Sequence, residues 1–178
     1  MTQSDTVMDA ARKTFAEQKK LAERAIAQIT DAQLFERQET DANSIGALMK
    51  HVGGNLSSRW RDFLDSDGEK SDRDRDGEFE PDTDTPASIR ATWDAGWATL
   101  EATLASLTDA DLGRTITIRT EPLSAGLALQ RSLAHTAQHV GQIILLARIM
   151  KGAEWQTLSI ARGESKAFNE NLLKQHRP

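Results

Sequence analysis

Two histidines, His135 and His139, are one helical turn apart in the most apolar stretch of the sequence, RSLAHTAQHVGQIILLARIM. Residues at i and i+4 project from one face of an α-helix, so both imidazoles can reach a single ion. Neutral imidazoles bind zinc, nickel, iron or copper, and a site of three such ligands keeps positions open for water or substrate. The spacing alone leaves open the alternative of two polar side chains hydrogen-bonded to their neighbours.

The chemistry available to such a site is limited by the residues around it. Thr136 stands where the general-base glutamate of an HExxH metalloprotease would be, so HTAQH is not that motif. The sequence has no cysteine, which excludes disulfides, zinc–thiolate sites and cysteine nucleophiles. A metal-activated water, or a thiol supplied by a cosubstrate, remains as the nucleophile.

Helical periodicity predicts an all-α chain with four helices, at about residues 5–30, 44–65, 86–107 and 124–151. A polar loop, 66–85, follows the second helix, and a tail, 153–178, follows the fourth. Helical projection places His135 and His139 about 120° from the aliphatic stripe of the fourth helix. His51 has a similar position beside the stripe of the second helix, next to Asn55. We therefore predict that the histidines line an open cleft beside the core.

A short internal repeat in the sequence suggests how His51 could face the other two histidines. Ile29–Leu34 (ITDAQL) ends the first helix and Leu107–Leu112 (LTDADL) ends the third, and each precedes a histidine-bearing helix. This pattern predicts two related helical hairpins joined by the long loop, with a pseudo-twofold axis between them. The predicted fold is a four-helix bundle with a long crossover between helices two and three, in one domain spanning residues 1–178. Asp62, which projects near His51, is a candidate general base.

Glycines and acidic residues in the first half of the chain allow two interpretations each. Gly53 and Gly54 inside the second helix indicate either close approach to another helix or subunit, or flexibility. The run DRDRDG at residues 72–77 begins like a calcium loop, but Thr83 occupies the position of the bidentate acid. We therefore predict that loop 66–85 is a solvated crossover.

Three further predictions concern the second half of the chain. Trp93 and Trp97 fall on the apolar seam of the third helix and are predicted to be core residues. Thr115–Ile118 alternates in polarity, which predicts a short extended piece. His176 is predicted to be an exposed tail residue.

The net charge and the distribution of apolar residues limit the kinds of partner and the location that we expect for this protein. A net charge of −5 argues against nucleic acid or an anionic membrane as the main partner. No run of about 18 apolar residues is present, and the first residues do not read as a signal peptide. The expected location is the cytoplasm.

Three segments together resemble the DinB-like (damage-inducible) superfamily: SIGALMKHVGGNLSSRWRDF, SLAHTAQHVGQIILLARIMKG and WQTLSIARGES. The chain looks closest to an uncharacterised subgroup of it. The resemblance implies a four-helix bundle, commonly a homodimer, with a divalent metal held by His51, His135 and His139. Relatives include bacillithiol S-transferases and mycothiol-dependent maleylpyruvate isomerase, so it also implies a small thiol cosubstrate. Zinc or nickel is the expected metal, with iron or manganese as alternatives.

Three functions are therefore considered. The first is a metal-dependent enzyme, a thiol S-transferase or a hydrolase, that activates a thiol or water. The second is a non-catalytic, metal-binding or stress-associated dimer. The third is a helical adaptor without metal, in which the histidine spacing is coincidental.

Overall fold

The computed structural model describes residues 6–80 and 83–175, and these are mainly helical. The predicted start of the first helix at residue 5 and the predicted exposure of His176 lie outside the described residues. The α-helices are α1 (Val7–Ile26), α2 (Ile45–Trp60), α3 (Pro86–Ser106), α4 (Ala125–Lys151) and α5 (Ser165–Gln175). Within the described residues, no helix is both long enough and apolar enough to cross a bilayer.

Side-chain caps set the starts of the helices that carry the candidate site. The Ser44 hydroxyl accepts a hydrogen bond from the Ala47 amide, and the Ser124 hydroxyl accepts one from the Leu127 amide. These caps begin α2 and α4 within one residue of their predicted starts. The predicted end of the second helix at residue 65 is wrong, because α2 ends at Trp60 and Asp62 has a positive φ of 48°.

The core is formed mainly where α2 packs against α3 and where α1 packs against α4. Trp93 and Trp97 are buried in it, as predicted. At the end of α2, Trp60 stacks on Phe63 with ring centroids 4.6 Å apart. The tail is also attached, since Gln28, just after the end of α1, hydrogen-bonds to the backbone of Gln156.

Gly53 marks a close approach between α2 and α3. A Cβ added at Gly53 would collide with the backbone of Thr92, and one added at Gly96 would collide with the backbone of Gly53. Of the two interpretations of Gly53, close approach to a neighbouring helix is therefore the correct one.

Replacing Gly96 with alanine should lower the free energy of unfolding by about 2–3 kcal/mol, because the new methyl group must separate α2 from α3. Gly141 on α4 is the matched control, since a Cβ there meets no atom within 4 Å. Gly141→Ala should stabilise the helix by up to about 1 kcal/mol. Urea denaturation of both variants tests this, and equal stabilities would contradict the close-packing interpretation.

A small β-hairpin precedes α4, so the all-α prediction omitted a two-stranded sheet. Strand β1 (Thr115–Ile118) pairs antiparallel with β2 (Glu121–Ser124). The extended piece at Thr115–Ile118 is therefore confirmed, whereas the second strand was not predicted. The turn residues Arg119 and Thr120 have φ values of 56° and 66°, a conformation that usually requires asparagine or glycine.

Asp67, in the loop after α2, holds this turn in place. Its carboxylate accepts hydrogen bonds from the Arg119 amide at 2.8 Å and the Thr120 amide at 2.7 Å. The Gly68 amide adds a bond of 2.8 Å to the Thr117 carbonyl. The loop thus compensates for a turn sequence that is unfavourable by itself.

Backbone hydrogen bonds from Glu69, Thr120 and Arg119 lower the pKa of Asp67 to about 2. Because the folded-state pKa lies below the unfolded value of 3.8, this carboxylate stabilises the fold above about pH 4. Its contribution is lost as the pH falls through about 2. Asp67→Asn should therefore cost about 1–2 kcal/mol at pH 7, and the difference from wild type should narrow between pH 4 and pH 2.

Denaturation curves at several pH values measure this effect, with the exposed Asp65 as the matched position. Asp65→Asn should change stability little at any pH. A cost of Asp67→Asn that is the same at pH 7 and pH 2 would contradict the assignment.

Candidate metal centre

The structure brings together the three histidines singled out in the sequence. His51 projects from α2, and His135 and His139 project from α4. The Nε2 atom of His135 lies 3.1 Å from Nε2 of His51 and 3.2 Å from Nε2 of His139. His51 is buried and the other two are half-buried, so the cluster lies at the edge of the core. The convergence is confirmed, and the group could hold a metal ion.

The spacing of these nitrogen atoms suits a common ion. Zinc–imidazole bonds of about 2.0–2.1 Å, with angles between 90° and tetrahedral, put the ligand nitrogens roughly 2.9–3.4 Å apart. Both observed separations fall in this interval. These two separations are therefore compatible with a shared metal ion, and all three ligand atoms lie within 4.8 Å of one another.

Two of the three rings are oriented by partners on their other nitrogen. The Nδ1 atom of His51 lies 2.8 Å from Oε2 of Glu78, and a carboxylate can only accept, so Nδ1 carries the hydrogen. The Nδ1 atom of His139 likewise donates to Oε1 of Gln142 at 2.8 Å. Both arrangements leave the Nε2 lone pair facing the centre, which is the form that binds metal.

His135 is held neutral by its surroundings. Burial, followed by the proximity of His139 and His51, lowers the pKa of His135 to about 3. Burial also lowers the pKa of His139. Because metal binding requires unprotonated imidazole, these two rings are in the competent state at neutral pH. Nδ1 of His135 is buried and has no hydrogen-bond partner among residues 6–80 and 83–175.

Sequence comparison identifies the family. The profile of a family described as "Protein of unknown function (DUF1572)" matches residues 2–164. The chain belongs to the DUF1572 family. The match includes α1 to α4, and therefore all three histidines. No curated protein shows significant similarity to the chain. The family description names no activity, so inferences about function depend on the site itself.

The long loop of this DUF1572 protein supplies a residue that sequence reasoning missed. Glu78 lies in a short 3₁₀ turn, Gly77–Phe79, and its side chain is only 6% exposed. Nε of Arg73 donates to Oε1 of Glu78 at 2.7 Å, and an Nη atom donates to Oε2 at 2.8 Å. Burial raises the pKa of Glu78, but the hydrogen bonds from His51 and Arg73 outweigh it and hold the pKa below its usual value.

The prediction of a solvated crossover is therefore wrong for this part of loop 66–85. Gly54 was the one feature of the sequence that could have indicated this contact, because a Cβ there would collide with the carboxylate of Glu78. The second glycine of the pair leaves room for Glu78, while the first serves the contact with α3. The acidic residues of the run DRDRDG (72–77) have partners in the protein itself. Asp72 pairs with Arg61, and Asp74 accepts a hydrogen bond from the Gly77 amide.

Asp62 is not placed to act on the histidines of the DUF1572 chain. It follows the end of α2, is exposed, and forms no hydrogen bond with any of the three. The described acid that does contact the cluster is Glu78, through His51. Because Glu78 is paired with Arg73 and ionised, it suits the orientation of a ligand better than proton transfer to a substrate.

Proposed function

We propose that His51, His135 and His139 hold one divalent transition metal ion, with zinc or nickel favoured over iron or manganese. The observation that carries this proposal is the convergence of three Nε2 atoms, two of them with the Nδ1 hydrogen directed outward to Glu78 and Gln142. Without an ion, only a hydrogen on Nε2 of His135, donated to one of its neighbours, would bridge these nitrogens. A metal ion would instead use the lone pairs of all three rings.

We further propose that the protein is an enzyme that activates a small thiol or water at this site. Three protein ligands leave further positions free, which is typical of catalytic sites and not of structural ones. A bound divalent ion supplies Lewis acidity, which lowers the pKa of a neighbouring water or thiol. A cavity of about 170 Å³ adjoins His135 and provides room for a substrate. Since the sequence has no cysteine, a thiol nucleophile would have to be a cosubstrate.

The proposed architecture is a DinB-like four-helix bundle of two pseudo-twofold hairpins, in a single domain. Support comes from the packing of α2 on α3 and of α1 on α4, with the long loop between α2 and α3. A homodimer is also proposed. Leu127, Leu145 and Ile149 on α4 are each more than half exposed, which favours a covered apolar surface on that helix.

Elemental analysis of freshly purified protein tests the metal proposal and identifies the ion. We expect about one divalent transition metal ion per chain. The catalytic proposal requires a second experiment, in which metal-loaded protein is incubated with small thiols and electrophiles, and with esters. If the protein contains metal but turns over no ester and no pair of thiol and electrophile, the non-catalytic alternative is favoured. If the purified protein contains no metal, both the metal proposal and the catalytic proposal are contradicted.

A further inference from the structure

The cavity beside His135 extends away from the histidines along both helices that carry them. His135, Arg131 and Ala128 line it from successive turns of α4. Asn55 and Arg59 line it from α2, one and two turns after His51. The cavity therefore adjoins the candidate metal centre at His135 and offers room for a substrate of that centre.

The polar groups of this cavity are hydrogen-bond donors and positive charges. Its lining includes Arg59 and Arg131 and no acidic residue. Arg59 is held in place by the Gly68 carbonyl at 2.5 Å and by the Glu69 carboxylate at 2.8 Å. Arg131 is exposed and has no ion-pair or hydrogen-bond partner within residues 6–80 and 83–175, so its guanidinium is available to a ligand of the cavity. In a protein with a net charge of −5, this local excess of positive charge favours an anion.

Asn55 provides an independent indication of a ligand. Its side chain belongs to a residue only 9% exposed, lines the cavity, and has no hydrogen-bond partner in the described part of the chain. Its amide atoms are not among the fully buried polar atoms that lack a partner, so a ligand or water in the cavity can reach them. Ser132 can contribute as well, because its oxygen accepts from Nε1 of Trp60 at 3.0 Å and its hydroxyl hydrogen remains free to donate.

The remaining walls of the cavity are apolar. Trp60, Phe63, Ile118 and Ala128 form them, and Trp60 and Phe63 are stacked on each other. The volume of about 170 Å³ is close to that of an engineered cavity of about 150 Å³ that holds benzene. The cavity thus suits an apolar body of about that size that ends in a charged group.

We propose that this cavity binds a small organic carboxylate as the substrate of the metal centre, with its carboxylate at Arg131 and Asn55. Its apolar body would lie against Trp60 and Phe63. The proposal rests on the function proposed above and adds the chemical class of the substrate. Because Arg131 and His135 are one helical turn apart on the same face of α4, a ligand held at Arg131 would extend toward the metal centre.

Binding of 4-fluorobenzoate to the metal-loaded protein, followed by ¹⁹F NMR, tests this proposal. The neutral 4-fluorobenzamide is a matched probe of the same shape. We expect the benzoate to bind about tenfold more tightly than the amide, because the cavity offers charge-assisted hydrogen bonds only to the anion. Arg131→Gln should weaken benzoate binding about tenfold and remove this preference.

One control variant and one further test variant complete the experiment. Arg148→Gln removes an exposed arginine from the last turn of the same helix and should leave both affinities unchanged. Asn55→Asp keeps the size of the side chain but adds a negative charge to the cavity, so it should weaken benzoate binding more than amide binding. Thermal melting of each variant shows whether it is folded.

The possible failures can be told apart because metal content is measured on every sample. Metal-loaded wild type that does not prefer benzoate, or that binds it equally after Arg131→Gln, overturns the carboxylate proposal and leaves the metal proposal intact. In particular, benzoate binding that survives Arg131→Gln but disappears on chelation would show a carboxylate on the metal itself. Absence of metal from wild type contradicts the proposed function, whereas the benzoate titration of that protein still tests the cavity.

Discussion

Replacement of His135 by alanine will reduce the metal content of the purified protein to less than about a tenth of the wild-type value. His135 is the central histidine of the cluster, since its Nε2 atom contacts both of the other Nε2 atoms. Loss of one of three ligands should weaken binding by more than the roughly 10- to 100-fold typical of losing a residue that only hydrogen-bonds to a ligand. Elemental analysis after gel filtration measures the loss.

The same variant should remain folded. His135 is half-buried beside the core, and its Nδ1 atom has no hydrogen-bond partner among the described residues, so the substitution breaks no bond on that side. The metal-free forms of wild type and His135→Ala should therefore melt within a few degrees of each other. His176→Ala is the matched control, because it removes the fourth histidine of the sequence and should retain the ion. Full metal content in His135→Ala would refute the assignment of this ligand.

Replacement of Glu78 by glutamine will weaken metal binding about 10- to 100-fold and also destabilise the metal-free protein. The glutamine oxygen can still accept from Nδ1 of His51, but the negative charge that strengthens this hydrogen bond is lost. The loss of stability arises at Arg73, whose side chain is only 4% exposed and would lose its ionic partner. Breaking a buried ion pair by removal of one partner costs about 3–5 kcal/mol.

Two measurements separate these effects. Competition with a zinc-binding dye reports the metal affinity, and urea denaturation of the metal-free protein reports the stability. Glu80→Gln, two residues further along, is the matched control because Glu80 is exposed, and it should change neither quantity. If Glu78→Gln behaved like Glu80→Gln, the carboxylate would have no role in orienting His51.

Residues that depend on local spacing were the ones that sequence could predict. Helical periodicity placed His135 and His139 on one face, and the caps at Ser44 and Ser124 marked the starts of the two helices. That His51 joins these two histidines required an additional inference, from the resemblance to the DinB-like superfamily and from the internal repeat ITDAQL and LTDADL. The contact of His51 with His135 at 3.1 Å agrees with both.

Residues that depend on the path of the loop could not be predicted in this way. Glu78 reaches His51 because the chain folds back over α2, and an acid among many in a polar segment gives no periodic signal. The hairpin turn at Arg119 and Thr120 could not be predicted from the sequence for a similar reason. Its stabilising partner, Asp67, is distant in sequence and replaces the usual turn residues.

Gly54 shows how a local feature can report a distant contact. A glycine inside a helix is unfavourable by itself, by about 1 kcal/mol relative to alanine, so its presence indicates that a side chain would be harmful there. The harmful contact is with Glu78. Sequence could therefore indicate that something approaches α2 at this point, but it could not indicate that the approaching group is the carboxylate that orients His51.

X-ray absorption spectroscopy of the metal-loaded protein tests the central claim most directly, because it counts the imidazoles bound to the ion. The arrangement of His51, His135 and His139 predicts three imidazole ligands at about 2.0–2.1 Å, with the remaining scattering from oxygen. His135→Ala, loaded with metal at high concentration, should show two. A wild-type spectrum with fewer than three imidazoles, or one unchanged by His135→Ala, would contradict the three-histidine site.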